Sequence, residues 1–107
     1  MPRAATYCAS KHGVIGLTKA TALENARSGI LVNVVCPAVI ETAMAERAFA
    51  DPAFNKFVLG LHPIGRFGKP EEIADAVLWM CSSRASFMTG QSLALDGGFL
   101  AGPHPPG

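Results

Sequence analysis

A tyrosine and a lysine lie four residues apart in the segment YCASKHG, from Tyr7 to Gly13. The surrounding residues favour a helix, and four residues are just over one helical turn, so both side chains lie on one face. A lysine ammonium in that position favours the phenolate and lowers the pKa of the tyrosine, which is otherwise about 10. Such a pair can donate or accept a proton near neutral pH. The alternative is a surface pair without a catalytic role, since such neighbours are common on helix faces.

The pair lies in the first helix that the sequence predicts. This helix is expected from Ala4 to Ser28, because Gly29 is a natural C-terminal cap. The segment ILVNVVC, Ile30 to Cys36, follows directly and is almost continuously apolar and β-branched. That pattern predicts a strand covered on both faces in a parallel sheet, ended by Pro37.

Further helices are expected before a second strand. Residues 41–62 predict one or two short helices, interrupted at Asp51-Pro52, and residues 63–70 predict a loop rich in glycine and proline. Pro70 then begins another helix, because proline suits the first helical turn.

A short second strand is expected from Ser92 to Asp96, closed by Gly97 and Gly98. Two strands separated by a helical crossover imply parallel pairing, so the predicted fold class is α/β. A two-stranded parallel sheet covers little area. The elements therefore resemble the closing part of a larger sheet.

Composition and charge exclude several classes of protein. Half of the 107 residues are hydrophobic and the net charge is +1 without a basic cluster, which argues against disorder and against nucleic acid as a partner. No apolar run is long enough to span a membrane, so no membrane association is expected. Three widely spaced cysteines indicate reduced thiols and a cytoplasmic location. The histidines His12, His62 and His104 show no ligand spacing, so no metal site is expected.

A stripe of small residues also runs along the first helix. Ala9, Gly13, Gly16 and Ala20 recur at helical spacing, on the face opposite Tyr7. Each helical glycine costs about 1 kcal/mol relative to alanine, and close approach of another helix would offset that cost. The stripe therefore predicts a homo-oligomer that packs through this helix. Weak selection at exposed positions is the alternative.

Four segments together resemble the classical short-chain dehydrogenases/reductases. They are YCASK, LVNVVCPAVIET, PIGRFGKPEEIADAVLWMCSS and MTGQSLALDGG, in the family's order and at about its spacing, from Ala4 to Phe99. Each motif alone is weak, but four in series are specific. The resemblance implies the C-terminal portion of a doubly wound Rossmann-type parallel sheet, with the active-site helix, two parallel strands and crossover helices.

The resemblance implies an NAD(P)-dependent oxidoreductase that interconverts a secondary alcohol and a ketone, both small molecules. Tyr7 would be the proton donor or acceptor and Lys11 would assist it. Both are also expected to contact the cofactor, with Lys11 hydrogen-bonded to the nicotinamide ribose. In PAVIET, Pro37 begins the cofactor-binding segment. The backbone of Ile40 would bind the nicotinamide carboxamide, and Thr42 would bind the cofactor nearby. Thr42 as an ordinary helix cap is the alternative. Nothing in the sequence distinguishes NAD from NADP.

The family's glycine-rich turn, Asn-Ala-Gly segment and catalytic serine all precede the tyrosine, and only six residues precede Tyr7 here. The resemblance therefore predicts that residues 1–107 form the C-terminal part of one such domain, without its N-terminal cofactor-binding half. We expect this chain alone to be inactive. A non-catalytic fragment or pseudoenzyme that acts as an interaction or oligomerisation module is the alternative function.

Overall fold

The computed structural model describes residues 4–38, 40–48 and 50–102. Its helices and strands are α1 (Ala4–Asn25), β1 (Val34–Pro37), α2 (Ala43–Ala48), α3 (Pro52–Gly60), α4 (Pro70–Met80) and β2 (Ser92–Leu95), with 3-10 turns at Ala26–Ser28 and Ser83–Ala85. The chain divides into two compact units, residues 1–35 with 79–93 and residues 36–78 with 94–107. Among the helices described, none has both the length and the apolar character needed to cross a membrane.

In the first unit, α1 buries one face and exposes the other. Thr18 and Ala22 are buried and Lys11 is half-buried, and all three lie on one side of the helix. A Cβ atom on Gly90 would lie 3.5 Å from that of Ala22, so the helix approaches this turn closely. The last turn tightens into a 3-10 helix and ends at Gly29, with φ at 77°. The predicted helix and its glycine cap are confirmed.

The first strand begins later than its sequence predicts. We expected it from Ile30 to Cys36, but β1 runs from Val34 to Pro37. The residues before it form hydrogen bonds with a turn instead. The Val32 N–H donates to the Thr89 hydroxyl at 3.1 Å, and the Gly90 N–H donates to the Val32 carbonyl at 2.7 Å. Because Gly90 has φ at 73°, the ladder can begin only beyond it.

The expectation that this strand is covered on both faces is also wrong. Residues 34–36 are only half-buried and Pro37 is exposed. Ile30 and Leu31, which the apolar pattern included, are 51% and 41% exposed. The apolar pattern is that of an interior strand, whereas the two strands described offer too little area to cover it.

Asn33 sets the register of the two strands in the first unit. Its Nδ2 donates to the Met88 carbonyl and its Oδ1 accepts from the Gln91 N–H, both at 3.0 Å. The Val34 N–H then donates to the Gln91 carbonyl at 2.9 Å. The Asn33 side chain thus makes two hydrogen bonds in place of backbone groups, at the point where regular strand pairing begins.

In the second unit, pairing continues with the Ala38 N–H donating to the Leu95 carbonyl at 3.2 Å. The paired positions advance together along both strands, so β1 and β2 are parallel as predicted. The strand β2 ends at Leu95, one residue before the expected Asp96. Asp96 instead begins a turn, in which its Oδ1 accepts from the Gly98 N–H at 3.0 Å.

The connection from β1 to β2 contains the predicted break between short helices. The Asp51 carboxylate accepts from the Ala53 N–H at 3.3 Å and Pro52 is the first residue of α3, so capping and proline together start this helix. The predicted loop then packs on the turn after β2, where the Ile64 N–H donates to the Gly97 carbonyl at 3.0 Å. An isolated parallel bridge joins Ile40 to Gly68.

Candidate functional site

The first unit contains the predicted catalytic pair. Positions 7 and 11 both lie in α1, which is continuous from Ala4 to Asn25, and so they are one helical turn apart. Lys11 is half-buried, on the same side of the helix as the buried Thr18. The helix therefore holds this part of the predicted site on its inward side.

The second unit contains the predicted cofactor-binding segment. Pro37 is the last residue of β1, Ile40 follows in the bridge to Gly68, and Thr42 directly precedes α2. This is the carboxyl end of a strand in a parallel sheet, where α/β proteins bind ligands. The Thr42 carbonyl accepts from the Glu46 N–H at 2.9 Å, as a residue at the start of a helix does.

The backbone of Ile40 suits an amide ligand. The bridge to Gly68 is made by the neighbouring Glu41, whose N–H donates to the Gly68 carbonyl at 2.8 Å. In the part of the chain that the structure describes, neither the N–H nor the C=O of Ile40 is assigned a hydrogen bond. A carboxamide presents one donor and one acceptor, so these two groups complement it.

A cleft of about 290 Å³ lies in the second unit, with Ile40 in its wall. It is bounded by strand ends, by the loop before α4, by α4 itself and by the turn after β2. Its other lining residues include Ala38, His62, Ile64, Arg66, Glu72 and Asp96.

Arg66 and Glu72 form a two-pronged ion pair at the rim of the cleft. The guanidinium Nη1 and Nη2 donate to the two carboxylate oxygens at 2.7 and 2.8 Å. The Lys69 N–H also donates to Glu72 at 2.8 Å, which caps the start of α4. Hydrogen bonds from Arg66, and then from Lys69, lower the pKa of Glu72 to about 2. The same carboxylate raises the pKa of Arg66.

We expect Glu72→Gln to lower the free energy of unfolding at neutral pH, and to lose this effect in acid. A carboxyl group whose pKa falls on folding stabilises the folded state above its ordinary value of 4.5, and this contribution disappears as the pH drops through about 2. The effect should be small, because both side chains are nearly half exposed.

Chemical denaturation of both proteins between pH 7 and pH 2 checks this. The exposed Glu71, one residue earlier in the same turn, supplies the control variant Glu71→Gln. A stability difference between wild type and Glu72→Gln that persists unchanged at pH 2 would contradict the ion-pair explanation.

His62 is a buried polar residue at the cleft. It is 4% exposed, and its Nδ1 lies 3.0 Å from the Val58 carbonyl. Its Nε2 is buried and has no hydrogen-bond partner among the residues described. The ring of Phe67 meets the imidazole edge-on at 5.6 Å between centroids, and that of Phe99 is tilted at 6.0 Å.

Sequence reasoning missed both His62 and the Arg66–Glu72 pair. It noted His62 only for its lack of metal-ligand spacing. The spacing of Lys69 and Glu72 fits a helix-start capping pattern and could have been recognised. The burial of His62 depends in part on Phe99, which is distant in the sequence.

Comparisons with known proteins identify the family. The family model described as enoyl-(acyl carrier protein) reductase matches residues 1–100. A short-chain dehydrogenase of Pyricularia oryzae is 44% identical over 104 residues, which cover 96% of this chain and 37% of that protein.

Two solved structures are similar in fold as well as in sequence. 4-Hydroxyisoleucine dehydrogenase complexed with NADH superposes with a TM-score of 0.87 at 36% identity, over 92% of this chain and 41% of its own. A putative 2-deoxy-D-gluconate 3-dehydrogenase from Agrobacterium tumefaciens with bound NADP has a TM-score of 0.85 at 47% identity, over 90% of this chain and 39% of its own.

The chain thus spans about two-fifths of the length of these relatives. The α/β architecture with two parallel strands is that of part of a Rossmann-type sheet. The match over residues 1–100 and the named relatives agree with the four motifs in the sequence. The chain belongs to the short-chain dehydrogenase/reductase family.

Proposed function

We propose that this chain supplies the acid/base pair and the nicotinamide end of the site in an oxidoreductase that interconverts a secondary alcohol and a ketone. The observation that carries the proposal is the unbroken helix α1, which holds positions 7 and 11 one turn apart within a short-chain dehydrogenase sequence. In the other unit, Ile40 lines a cleft at a strand's carboxyl end.

Proton transfer is the task of Tyr7. In alcohol oxidation the substrate O–H gives its proton to the Tyr7 phenolate, and in ketone reduction the phenol returns a proton to the carbonyl oxygen. Lys11 stabilises the phenolate because its ammonium carries the opposite charge. Lys11 and the Ile40 backbone would hold the nicotinamide, which would provide hydride transfer at the substrate carbon.

The cofactor is NAD or NADP, since structural relatives hold NADH and NADP. Lys11 and Tyr7 would contact its nicotinamide ribose, the Ile40 backbone would hold its carboxamide, and Pro37 and Thr42 would lie beside it. The fit rests on the N–H and C=O of Ile40, for which the residues described provide no hydrogen bond. The substrate is a small alcohol or ketone.

The test is to incubate the intact protein with a panel of secondary alcohols, with NAD and NADP supplied separately, and to follow nicotinamide absorbance. Alcohol-dependent reduction of either cofactor supports the function. Saturable binding of other macromolecules, with no turnover on the panel, would favour a non-catalytic interaction module instead.

We further propose that the intact protein is a homo-oligomer that packs through α1. All four residues of the predicted small-residue stripe are exposed, and a Cβ atom on Gly13 or Gly16 would meet none of the described residues within 4 Å. Leu17 and Leu23 flank the stripe and are 68% and 81% exposed. An exposed groove of glycines between leucines suits a second copy of the helix.

Gly16→Leu should weaken this association, because the added side chain holds the facing helices apart at a cost of about 1–3 kcal/mol. Analytical ultracentrifugation over a concentration series checks the shift to smaller species. Val14→Leu, on the opposite side of the same helix, is the matched control. An unchanged association constant for Gly16→Leu would rule out this surface.

The cytoplasm is the proposed location. Cys8, Cys36 and Cys81 all lie within the residues described, and none forms a disulfide. Thiols of this kind are typical of a reducing compartment.

A further inference from the structure

The cleft in the second unit has the size and character of a site for a small molecule. At about 290 Å³ it lies near the lower end of the range for small-molecule sites. Most of its wall is aliphatic or backbone, with Ile64, Ile73 and Leu95 among its lining residues. Such walls bind the carbon skeleton of a ligand and leave orientation to a few polar groups.

The charges at the cleft disfavour an anionic ligand. Arg66 is the cation among its lining residues, and both arms of its guanidinium are engaged by Glu72. Asp96 adds a second carboxylate, which accepts hydrogen bonds from the backbone of Gly98 and Leu100. One negative charge is therefore in excess, so a neutral molecule is favoured over a carboxylate or phosphate.

His62 provides a hydrogen-bond acceptor for which the residues described offer no donor. A carbonyl can only accept, so Nδ1 carries the proton that is shared with Val58 at 3.0 Å. In the neutral ring, Nε2 is then an acceptor, and it is buried with no partner in the part of the chain that the structure describes. Buried polar groups in native proteins are normally satisfied, so such an atom points to a missing donor.

The cover over this ring includes a residue that can move. Phe99 packs against the imidazole, is 37% exposed and lies in the surface turn after β2. A change of its side-chain rotamer would uncover part of the imidazole ring without moving a strand or helix.

We propose that this cleft binds a neutral hydroxylated molecule whose hydroxyl group donates a hydrogen bond to Nε2 of His62. That this molecule is the substrate rests on the proposed function, since Ile40 lines the same cleft.

The test is a binding measurement on the intact protein, labelled with ¹⁵N at histidine and free of cofactor. The probes are trans-cyclohexane-1,2-diol, its dimethyl ether and cyclohexanecarboxylate. We expect the diol to shift the Nε2 resonance of His62 saturably, and to bind about five- to tenfold more tightly than the ether, which lacks a donor. The carboxylate should bind more weakly than the diol.

His62→Phe keeps a flat ring beside Phe67 and Phe99 and removes the acceptor. It should weaken diol binding by about five- to tenfold and leave ether binding unchanged. If this variant does not fold, the comparison of diol with ether in the wild-type protein decides alone. Equal affinity for diol and ether, or no shift at Nε2, would overturn the proposal.

In a further experiment, NADH is added to the complex of the protein with the diol. Displacement of the diol would assign the cleft to the cofactor and overturn the proposal, whereas simultaneous binding supports it. Because no arm measures turnover, the binding site and the proposed reaction can fail separately.

Discussion

Replacing Tyr7 with phenylalanine should remove nearly all turnover of the intact enzyme while cofactor binding largely survives. The variant keeps the aromatic ring and loses only the transferable proton. General acid–base catalysis contributes about a hundred- to ten-thousand-fold to a rate, so kcat should fall by at least that range. Steady-state kinetics, together with NADH and NADPH titrations by fluorescence, check both halves of this prediction.

Lys11→Met extends the test to the second member of the pair. It should reduce both turnover and cofactor affinity, because the ammonium stabilises the phenolate and is expected to bind the ribose. Lys19 is an exposed lysine on the same helix, so Lys19→Met is a matched control that should change neither quantity. Near-normal activity of Tyr7→Phe would sink the proposed mechanism.

The largest expected effect on stability is that of Gly97→Ala. Gly97 has φ at 60°, a conformation that costs an L-residue about 1–2 kcal/mol. A Cβ atom there would also lie 2.7 Å from Cγ2 of Ile64, closer than side chains tolerate. With overpacking of about 1–3 kcal/mol added, we expect a loss of about 2–5 kcal/mol in the free energy of unfolding.

Chemical denaturation of the intact protein measures this loss, and Gly60→Ala is its control. Gly60 ends α3 with open space around it, so alanine there should be neutral or slightly stabilising. The exposed Ile64 allows the two causes to be separated. In an Ile64→Ala background the clash disappears. Gly97→Ala should then lower the free energy of unfolding only by the cost of the positive φ. An equal cost in both backgrounds would show that the contact with Ile64 is unimportant.

Local signals in the sequence predicted the features that local chemistry decides. The glycine at position 29, the Asp51-Pro52 break and the proline that begins α4 act within a few residues, and each is found where expected. The parallel order of the strands followed from the helical crossover between them.

The features that failed or were missed depend on residues distant in the sequence. The turn at Gly90 decides where β1 begins. The apolar run from Ile30 contains no signal that predicts this turn. The burial of His62 likewise requires Phe99, which follows it by more than thirty residues. Periodicity within one segment cannot show either effect.

The pairing of β1 with β2 also sets the order in which the chain can fold. Contacts that align the strands join residues as much as 58 positions apart, as for Asn33 and Gln91. Closing so long a loop costs conformational entropy before any ladder bond repays it. The helix α1 needs only neighbours four residues away and can form within about a microsecond. During refolding the sheet therefore forms after the helix. Until Asn33 binds the backbone of Met88 and Gln91, the edges of both strands remain open to pairing with other chains.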